Sequence, residues 1–386
     1  MTAPTLRTIF TRDFILAFLA QFAFTSVFSL LIPTLPIYLS RSGSTETEIG
    51  ILVGIFFLSS LVLRPFVGRA LLKIPEKKFM IIGGLLYALS SIAYLLTPPF
   101  WPFLIVRVIQ GIGFAFFHTA VYTLIANISS GPHRAHSISY FAMAQTVSSA
   151  LAPSIGMFLI NQFSFTLLFL VCLSLSSCSL FITNKLRMRL IAPLQDSFIE
   201  DNFFLNRKAL PPSIVSSISL FAWGALTAFF PLYAIKHGVT NPGLFFTTIA
   251  IMLLLGRSFG GKIFDLNNRE KVILPCLTAY IISMAILAFS KTLPMFILVA
   301  VIWGIGNAFL MPSLVAYALD RVGSSPGPVM GTFTGITDLG IFLGPVVMGI
   351  IIHKTSYPIM FLCLAFTGIV NLNYFYFFVR KKGNPS

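Results

Sequence analysis

Apolar runs long enough to span a bilayer recur along the whole chain. A helix crosses the hydrocarbon core with about 20 apolar residues, and such runs follow one another from Phe14 to Val379 with short polar segments between them. Of the 386 residues, 56% are hydrophobic and 10% are charged, which is too little polar surface for a water-soluble domain. Because a backbone in hydrocarbon must satisfy its own hydrogen bonds, we predict a bundle of transmembrane helices.

Twelve such helices are predicted, which makes the chain an all-α membrane protein. The first reaches Leu39, is too long for the core of a signal peptide and lacks a cleavage site of small residues, so we expect it to be retained. The longest polar connection, 185–211, is predicted to be a cytoplasmic linker between an N-terminal half, 1–184, and a C-terminal half, 212–386. The predicted spans are 13–39, 48–70, 79–97, 101–127, 136–160, 163–184, 212–235, 243–264, 272–290, 294–318, 327–352 and 357–379.

The basic residues predict the orientation. If the N-terminus is cytoplasmic, 19 of the 26 Lys and Arg residues fall in cytoplasmic segments and only Arg41, Lys236, Lys291 and Lys354 in the opposite loops. The positive-inside rule then places both termini in the cytoplasm, at the plasma (inner) membrane. This topology, together with attraction to anionic lipid, accounts for the net charge of +15 without a nucleic-acid partner. The four cysteines lack metal-ligand spacing and predict neither a disulfide framework nor a metal site.

The two halves of the sequence repeat each other. Two segments align at an offset of 193 residues, and two more at offsets of 195 and 192. Since the repeat contains an even number of helices, both copies should have the same orientation, an arrangement in which a site forms between the halves near the midplane. The matches are RPFVGR from Arg64 with RSFGGK from Arg257, GIGFAF from Gly111 with GIGNAF from Gly304, PIYLSRSG from Pro36 with PLYAIKHG from Pro231, and APSIG from Ala152 with GPVVMG from Gly344.

Motifs along essentially the whole chain resemble those of the major facilitator superfamily of secondary transporters. RVIQGIGFAF, from Arg107 in the fourth helix, is similar to the superfamily's Arg-x-x-Gln-Gly-x-Gly motif. LGPVVMG in the eleventh helix, and more weakly LAPSIG in the fifth, resemble the Gly-Pro motif of proton-driven exporters. The resemblance implies a fold of two pseudo-symmetric six-helix halves and is closest to the drug and sugar efflux branch.

Two cytoplasmic loops resemble the superfamily's gating signature. RPFVGRALLKIPEKK and RSFGGKIFDLNNREK each leave an even-numbered helix, and the signature has an acid shortly after its glycine. Asp265 fits that position in the second half, whereas Leu72 occupies it in the first. The resemblance therefore implies a charge lock with all its groups in the second half only. The gating residues that it implies are Arg64, Gly68, Arg69, Arg257, Gly261, Asp265 and Arg269.

Asp338 is the one acid that we place deep within a predicted span. The other ten acids lie at span ends or in loops, whereas Asp338 is about 15 Å from the cytoplasmic end of the eleventh helix at ~1.5 Å per residue. Charged groups inside a membrane are costly and commonly functional. Asp338 is therefore a candidate proton carrier; the alternative is a hydrogen-bonded acid that braces its helix.

A stripe on the fourth helix is the candidate substrate surface. Arg107, Phe114 and His118 share one face at 100° per residue, and Gln110 flanks it. His118 either relays protons or is a packing residue, and Arg107 either contacts substrate or snorkels and braces the bundle. We expect this stripe and its repeat counterpart to face one central cavity. The predicted lining is Gln21, Thr25, Arg107, Gln110, Phe114, Trp223, Thr227, Trp303 and Asn307.

Together these features predict a secondary transporter that works by alternating access, with proton-coupled export of a small amphiphilic or weakly polar solute. We expect a monomer that needs no cofactor beyond the proton gradient. Proton-coupled import or uniport of a small metabolite is the alternative, followed by a non-transporting receptor. A membrane enzyme would need a nucleophile, paired acids or a metal cluster, and the sequence has neither HExxH nor GxSxG.

Overall fold

The structure, a computed structural model, describes residues 10–96, 100–129, 134–187, 207–259, 269–322 and 326–380. Within these residues the predicted all-helical fold of twelve helices is confirmed. Eleven helices are long and apolar enough to cross a bilayer, and α8 is a shorter apolar helix over its described length. The helices are α1 Arg12–Arg41, α2 Glu46–Ala70, α3 Glu76–Leu96, α4 Trp101–Ile128, α5 Arg134–Gln162, α6 Phe165–Asn184, α7 Leu210–Lys236, α8 Gly243–Phe259, α9 Glu270–Phe289, α10 Leu293–Val322, α11 Pro326–Lys354 and α12 Tyr357–Tyr374, followed by a π-helical turn at Phe375–Val379.

The chain forms two compact units. The first comprises Met1–Gly43 and Ile55–Phe198, and the second comprises Ser44–Gly54 and Ile199–Ser386. The first turns of α2 thus group with the second unit. Most of the predicted linker lies outside the described residues, so the domain boundaries drawn from it stay a prediction.

Inside each unit the helices pack in the same order. In the first unit α1 packs against α5 and α6, and α3 packs against α4 and α6. In the second unit α7 packs against α11 and α12, and α9 packs against α10 and α12. Each pair in the first unit becomes its counterpart in the second when six is added to both helix numbers. The units are therefore two copies of one six-helix arrangement, as the sequence repeat predicts.

The repeat extends to the turn that follows the first helix of each unit. Gly43 after α1 and Gly238 after α7 are the two glycines with positive φ among the described residues, at 87° and 78°. In this left-handed region a side chain would be strained, which explains the glycine. Their N–H groups donate to the carbonyls of Ser40 and Ile235 at 3.1 and 2.9 Å. The PIYLSRSG and PLYAIKHG segments thus end in the same turn.

Aromatic contacts near these turns also repeat. Tyr38 lies 5.9 Å from Phe103 in the first unit, and Tyr233 lies 5.8 Å from Phe296 in the second, measured between ring centroids. The Arg41 guanidinium sits 5.5 Å from the centre of the Phe165 ring, and in the second unit a lysine takes the same position over a tyrosine ring. Such cation–π contacts stabilise the helix ends modestly.

Close helix contacts at glycine recur at the 193-residue offset. An added Cβ at Gly111 of α4 would meet Ser59 and the backbone of Phe56 on α2. At Gly304 of α10 it would meet Met252 and the backbone of Ile249 on α8, and these two residues are the counterparts of Ser59 and Phe56. Small residues that allow close backbone approach are typical of helix contacts in membranes. The GIGFAF and GIGNAF matches thus reflect the same helix packing.

We expect Gly111→Ala to destabilise the protein. The new methyl group would overlap the carbonyl of Phe56, which is backbone and cannot rotate away, and overpacking of this kind costs about 1–3 kcal/mol. The matched control is Gly335→Ala on α11, where nothing lies within 4 Å of the new Cβ. That change should leave stability equal or raise it by up to about 1 kcal/mol through helix propensity. Thermal unfolding of the purified variants measures both, and equal Tm values would contradict the packing.

Candidate functional site

Five phenylalanines from three helices form one cluster in the first unit. Its members are Phe24 and Phe28 of α1, Phe56 and Phe57 of α2, and Phe114 of α4; we call it the phenylalanine cluster. Ring centroids lie 5.4 Å apart for Phe28 and Phe56, 5.4 Å for Phe56 and Phe114, and 5.7 Å for Phe28 and Phe114. Phe28 and Phe57 are half-buried and the other three are buried. The cluster is thus a mostly buried aromatic contact between α1, α2 and α4.

From Phe114 to His118, the predicted stripe on α4 forms a continuous stack of rings that extends to Tyr122. The rings of Phe114 and His118 stack at 4.9 Å, and those of His118 and Tyr122 lie 4.7 Å apart. His118 Nε2 is 3.3 Å from Gln145 Oε1 on α5, and the Arg64 guanidinium lies 5.8 Å from the centre of the Phe114 ring. His118 is thus held by aromatic rings on its own helix and by an amide on the next.

Arg107 is not at the protein surface. Only 4% of it is exposed, so the structure excludes a snorkelling side chain. Its Nη1 donates to Gln110 Oε1 at 2.5 Å, the Tyr94 hydroxyl donates to the same oxygen at 2.5 Å, and the guanidinium lies 4.6 Å from the centre of the Phe56 ring. One turn of α4 therefore places a cation and an amide beside the phenylalanine cluster. The hydropathy pattern alone could not show this, because it does not tell which residues close over a polar side chain.

The two predicted lining residues of α1 are enclosed by the first unit. Gln21 and Thr25 are fully buried, and the Thr25 hydroxyl donates to the Gln21 carbonyl at 2.8 Å. Neither side-chain atom of the Gln21 amide has a hydrogen-bond partner among the described residues. Buried amides are normally hydrogen-bonded, so Gln21 departs from the usual pattern. Its role in the cavity stays a prediction.

The second unit has an aromatic pair, one member of which, Trp303, stands at the repeat position of Gln110. Trp223 of α7 and Trp303 of α10 stack with centroids 5.2 Å apart and planes 17° from parallel. Trp303 and Asn307 line one small cavity together with Ser219, Cys276, Tyr280 and Leu310. Thr227, by contrast, turns its hydroxyl back onto the Gly224 carbonyl of its own helix at 2.7 Å. The structure thus brings Trp223, Trp303 and Asn307 together and leaves Thr227 one turn away.

Asp338 is half-buried on α11, a helix that packs closely against α7. An added Cβ at Gly340 would meet the backbone of Ser217, and one at Gly344 would meet the backbone of Phe221. The Thr337 hydroxyl donates to Ser216 Oγ at 2.9 Å. The glycine of the Gly-Pro motif is therefore explained by helix contact, and this contact fixes the position of the helix that carries Asp338.

The cytoplasmic signature shows repeat-related pairs whose charges differ between the units. In the first unit Asn127 Nδ2 donates to Glu76 Oε1 at 2.6 Å. At the same repeat positions in the second unit, Arg269 Nε donates to Asp320 Oδ2 at 2.6 Å. Because Glu76 is 6% exposed, the first unit keeps a buried acid near Leu72. Sequence reasoning missed this pair, although the 193-residue offset applied to Arg269 and Asp320 points to it.

A second pair also repeats with altered chemistry. Lys77 Nζ donates to the carbonyls of Asn184 and Leu186 at the end of α6, at 2.6 and 2.8 Å. At the repeat position of Lys77 the second unit has Glu270. Arg380, just after α12, donates from its Nε to Glu270 Oε2 at 2.7 Å. Of the other predicted gating residues, Gly68 has open space around it and Arg69 is exposed. Gly261, Asp265 and the side chain of Arg257 lie outside the described residues.

Comparison with curated proteins finds bacterial export and resistance proteins. The chain is 25% identical to the staphylopine export protein of Staphylococcus aureus strain Mu50, over 92% of this chain and 94% of that protein. It is 24% identical to multidrug resistance protein 2 of Bacillus subtilis strain 168, over 92% of both. It is also 24% identical to the quinolone resistance protein NorA of S. aureus strain COL, over 88% of this chain and 90% of that one.

Solved structures share the fold. A point mutant of the nucleoside transporter NupG matches with a TM-score of 0.81 at 15% identity, covering 95% of this chain and all of that one. The human organic anion transporter MFSD10 matches with a TM-score of 0.71 at 16% identity, covering 96% and 100%. The family model of the Major Facilitator Superfamily matches residues 17–322 and 213–386. With this match, the twelve-helix fold and its internal repeat, the chain belongs to the Major Facilitator Superfamily and is a multi-pass membrane transporter rather than an enzyme.

Proposed function

We propose that this transporter exports a small amphiphilic solute from the cytoplasm across the plasma (inner) membrane in exchange for protons. The observation that carries the proposal is the aromatic cluster in each unit: the phenylalanine cluster with His118 in the first, and the Trp223–Trp303 stack in the second. Rings offer a large contact area to planar or apolar solutes. Among the described residues, the charged groups that contact these rings are Arg64 and Arg107, so the rings favour an amphiphilic molecule over a highly charged one.

The names of the relatives support the direction of transport. One is an export protein, and two are resistance proteins, one of them against quinolones. The Gly-Pro motif of α11, which resembles that of proton-driven exporters, agrees with them. NupG and MFSD10 are similar in fold at 15% and 16% identity and carry no argument about direction.

Asp338 is the group proposed to carry the coupled proton. By sequence it is the one acid deep within a predicted span, and acids in such positions commonly line proton or ion pathways. A transporter that exchanges a proton for solute must expose the acid to each side in turn. Solute binding and protonation of Asp338 must then be linked reciprocally.

The test of the proposal is transport into inside-out vesicles. An imposed proton gradient, acidic inside, should drive accumulation of a fluorescent amphiphile or a quinolone, and addition of the solute should dissipate the gradient. Collapse of the gradient by an uncoupler should abolish accumulation. Accumulation that runs only in right-side-out vesicles would favour import, and none in either orientation would favour a receptor.

We expect Asp338→Asn to separate transport from the proton gradient. The amide resembles the protonated acid in shape and still forms hydrogen bonds, so the variant should fold and insert. Gradient-driven accumulation should be lost, while exchange of solute down its own gradient continues. Both are measured in proteoliposomes with and without a pH difference.

His118→Gln is the companion variant, since His118 is the second proton candidate. If the Asp338→Asn variant accumulates solute as well as the wild type does, Asp338 has only a structural role. Loss of accumulation in His118→Gln alone would move the proton site to α4.

The second-unit lining gives a further prediction. Trp303→Leu should raise the solute concentration for half-maximal transport by about 2–10-fold, because an aromatic contact contributes about 0.5–1.5 kcal/mol beyond area burial. Trp101→Leu is the control, since Trp101 is 72% exposed at the start of α4. Equal concentration dependence in the two variants would exclude the Trp223–Trp303 stack from the solute path.

The proposed orientation predicts a cytoplasmic C-terminus. A fluorescent protein that folds only in the cytoplasm should be bright when fused after Ser386, and alkaline phosphatase fused there should be inactive. The reason is the excess of basic residues in the segments assigned to that side. A dark fluorescent-protein fusion together with an active alkaline phosphatase fusion would contradict the predicted cytoplasmic C-terminus.

A further inference from the structure

Arg107, Gln110, Tyr94 and Tyr87 form a polar island within the apolar interior of the first unit. Arg107 is 4% exposed, Tyr94 is 1% exposed, and Gln110 and Tyr87 are fully buried. Arg107 lies within electrostatic range of both tyrosines. All four side chains come from α3 and α4, which pack against each other.

Two hydrogen-bond donors of the island have no acceptor among the described residues. The Gln110 Oε1 accepts from both Arg107 and Tyr94, yet Gln110 Nε2 has no partner among the described residues. The Tyr87 hydroxyl has none there either. Buried polar atoms of this kind are rare without a bound water, ion or ligand. What completes the island must accept hydrogen bonds.

Arg107 is the charged side chain of the island and makes it positive. A buried cation is best stabilised by an opposite charge that also forms hydrogen bonds. A carboxylate supplies both.

The six-helix fold does not need the island. At the 193-residue offset, Arg107, Gln110 and Tyr94 correspond to Ala300, Trp303 and Leu287, which are buried and carry no comparable polar groups. Tyr87 corresponds to Tyr280, whose hydroxyl is bonded to the Leu364 carbonyl and to Thr367, both at 3.0 Å. Since the second unit folds the same way with apolar residues there, the first unit retains its polar ones for another reason.

We propose that the island is a binding site for a compact anionic group, the carboxylate of the transported solute. Arg107 supplies the charge, Gln110 Nε2 and the Tyr87 hydroxyl supply hydrogen bonds, and the adjacent phenylalanine cluster holds the apolar part of the same molecule. The inference rests on the proposed function for the statement that the anion is part of the solute. The solute class becomes an amphiphilic aromatic or aliphatic carboxylate, with a bound inorganic anion as the alternative source of the same chemistry.

The test compares benzoate with benzamide, two probes of nearly equal shape that differ in charge. Full-length protein in nanodiscs of zwitterionic lipid is heated with each probe, and the rise in Tm reports binding. Benzoate should raise Tm more than benzamide, and Arg107→Gln should abolish the difference. Arg41→Gln is the control, because Arg41 also makes a cation–π contact but is exposed outside the island.

The Tyr87→Phe variant tests the anion site even if the Arg107→Gln variant does not fold. Its hydroxyl has no partner among the described residues, so a merely structural tyrosine would lose nothing on this change. A binding site predicts about a tenfold weaker affinity for benzoate at unchanged Tm without probe, because a hydrogen bond to a charged group is lost. The control Tyr317→Phe, which removes a hydroxyl that donates to the Val379 carbonyl at 2.8 Å, should do the reverse, lowering Tm and leaving benzoate affinity intact.

Chloride and phosphate identify the source of the anion. If either one competes with benzoate at millimolar concentration and benzoate itself is not transported, the site stands as an inorganic anion site and its assignment to the solute is overturned. If benzoate and benzamide raise the wild-type Tm equally, or Tyr87→Phe binds benzoate as the wild type does, the anion site is overturned. The Tm assay contains no proton gradient, so its result does not depend on proton coupling. A failure of proton-coupled export would appear in the vesicle transport assay instead.

Discussion

The lack of water in the hydrocarbon core is the constraint on which the rest of this structure depends. Every backbone group has to be paired within a helix, and every side-chain hydroxyl has to find an acceptor nearby. Thr34 and Ser176 do this by donating to the carbonyl four residues earlier in their own helix, at 2.7 and 2.8 Å. Against this background the Gln110 amide nitrogen and the Tyr87 hydroxyl, which have no partner among the described residues, are exceptions that require a cause, and a bound ligand is the cause that we propose.

The sequence predicted the fold well because the relevant signals are long and repeated. Hydropathy located all twelve helices, and the 193-residue offset of Gly111 and Gly304 anticipated a helix contact that the structure shows in both units. The turn glycines Gly43 and Gly238 were visible as the ends of matching segments. These features recur because a repeated backbone imposes the same steric requirement twice.

The candidate site was less predictable, since its chemistry lies in side-chain contacts between helices. Periodicity placed Arg107 on the face of Phe114 and His118 but could not show that Gln110 and Tyr94 enclose it. Motif comparison noted that Leu72 replaces an acid, yet it did not find the buried Glu76 four residues later. The charge pairs at the ends of the helices have changed type between the units while keeping their positions, so a search for conserved charge misses them.

The two units share one backbone arrangement but differ in the charged groups that their helices carry. The first unit holds a buried cation at Arg107, and the second holds the intramembrane acid Asp338. With a neutral solute, exchange for one proton moves one elementary charge across the membrane, which at 100 mV is about 2.3 kcal/mol. Export of a monoanion in the same exchange moves the equivalent of two charges inward and doubles this driving force to about 4.6 kcal/mol at the same potential. A carboxylate bound at Arg107 would therefore couple export to the membrane potential as well as to the pH difference, and a steep dependence of transport on potential would follow from the charge of the solute rather than from a second proton.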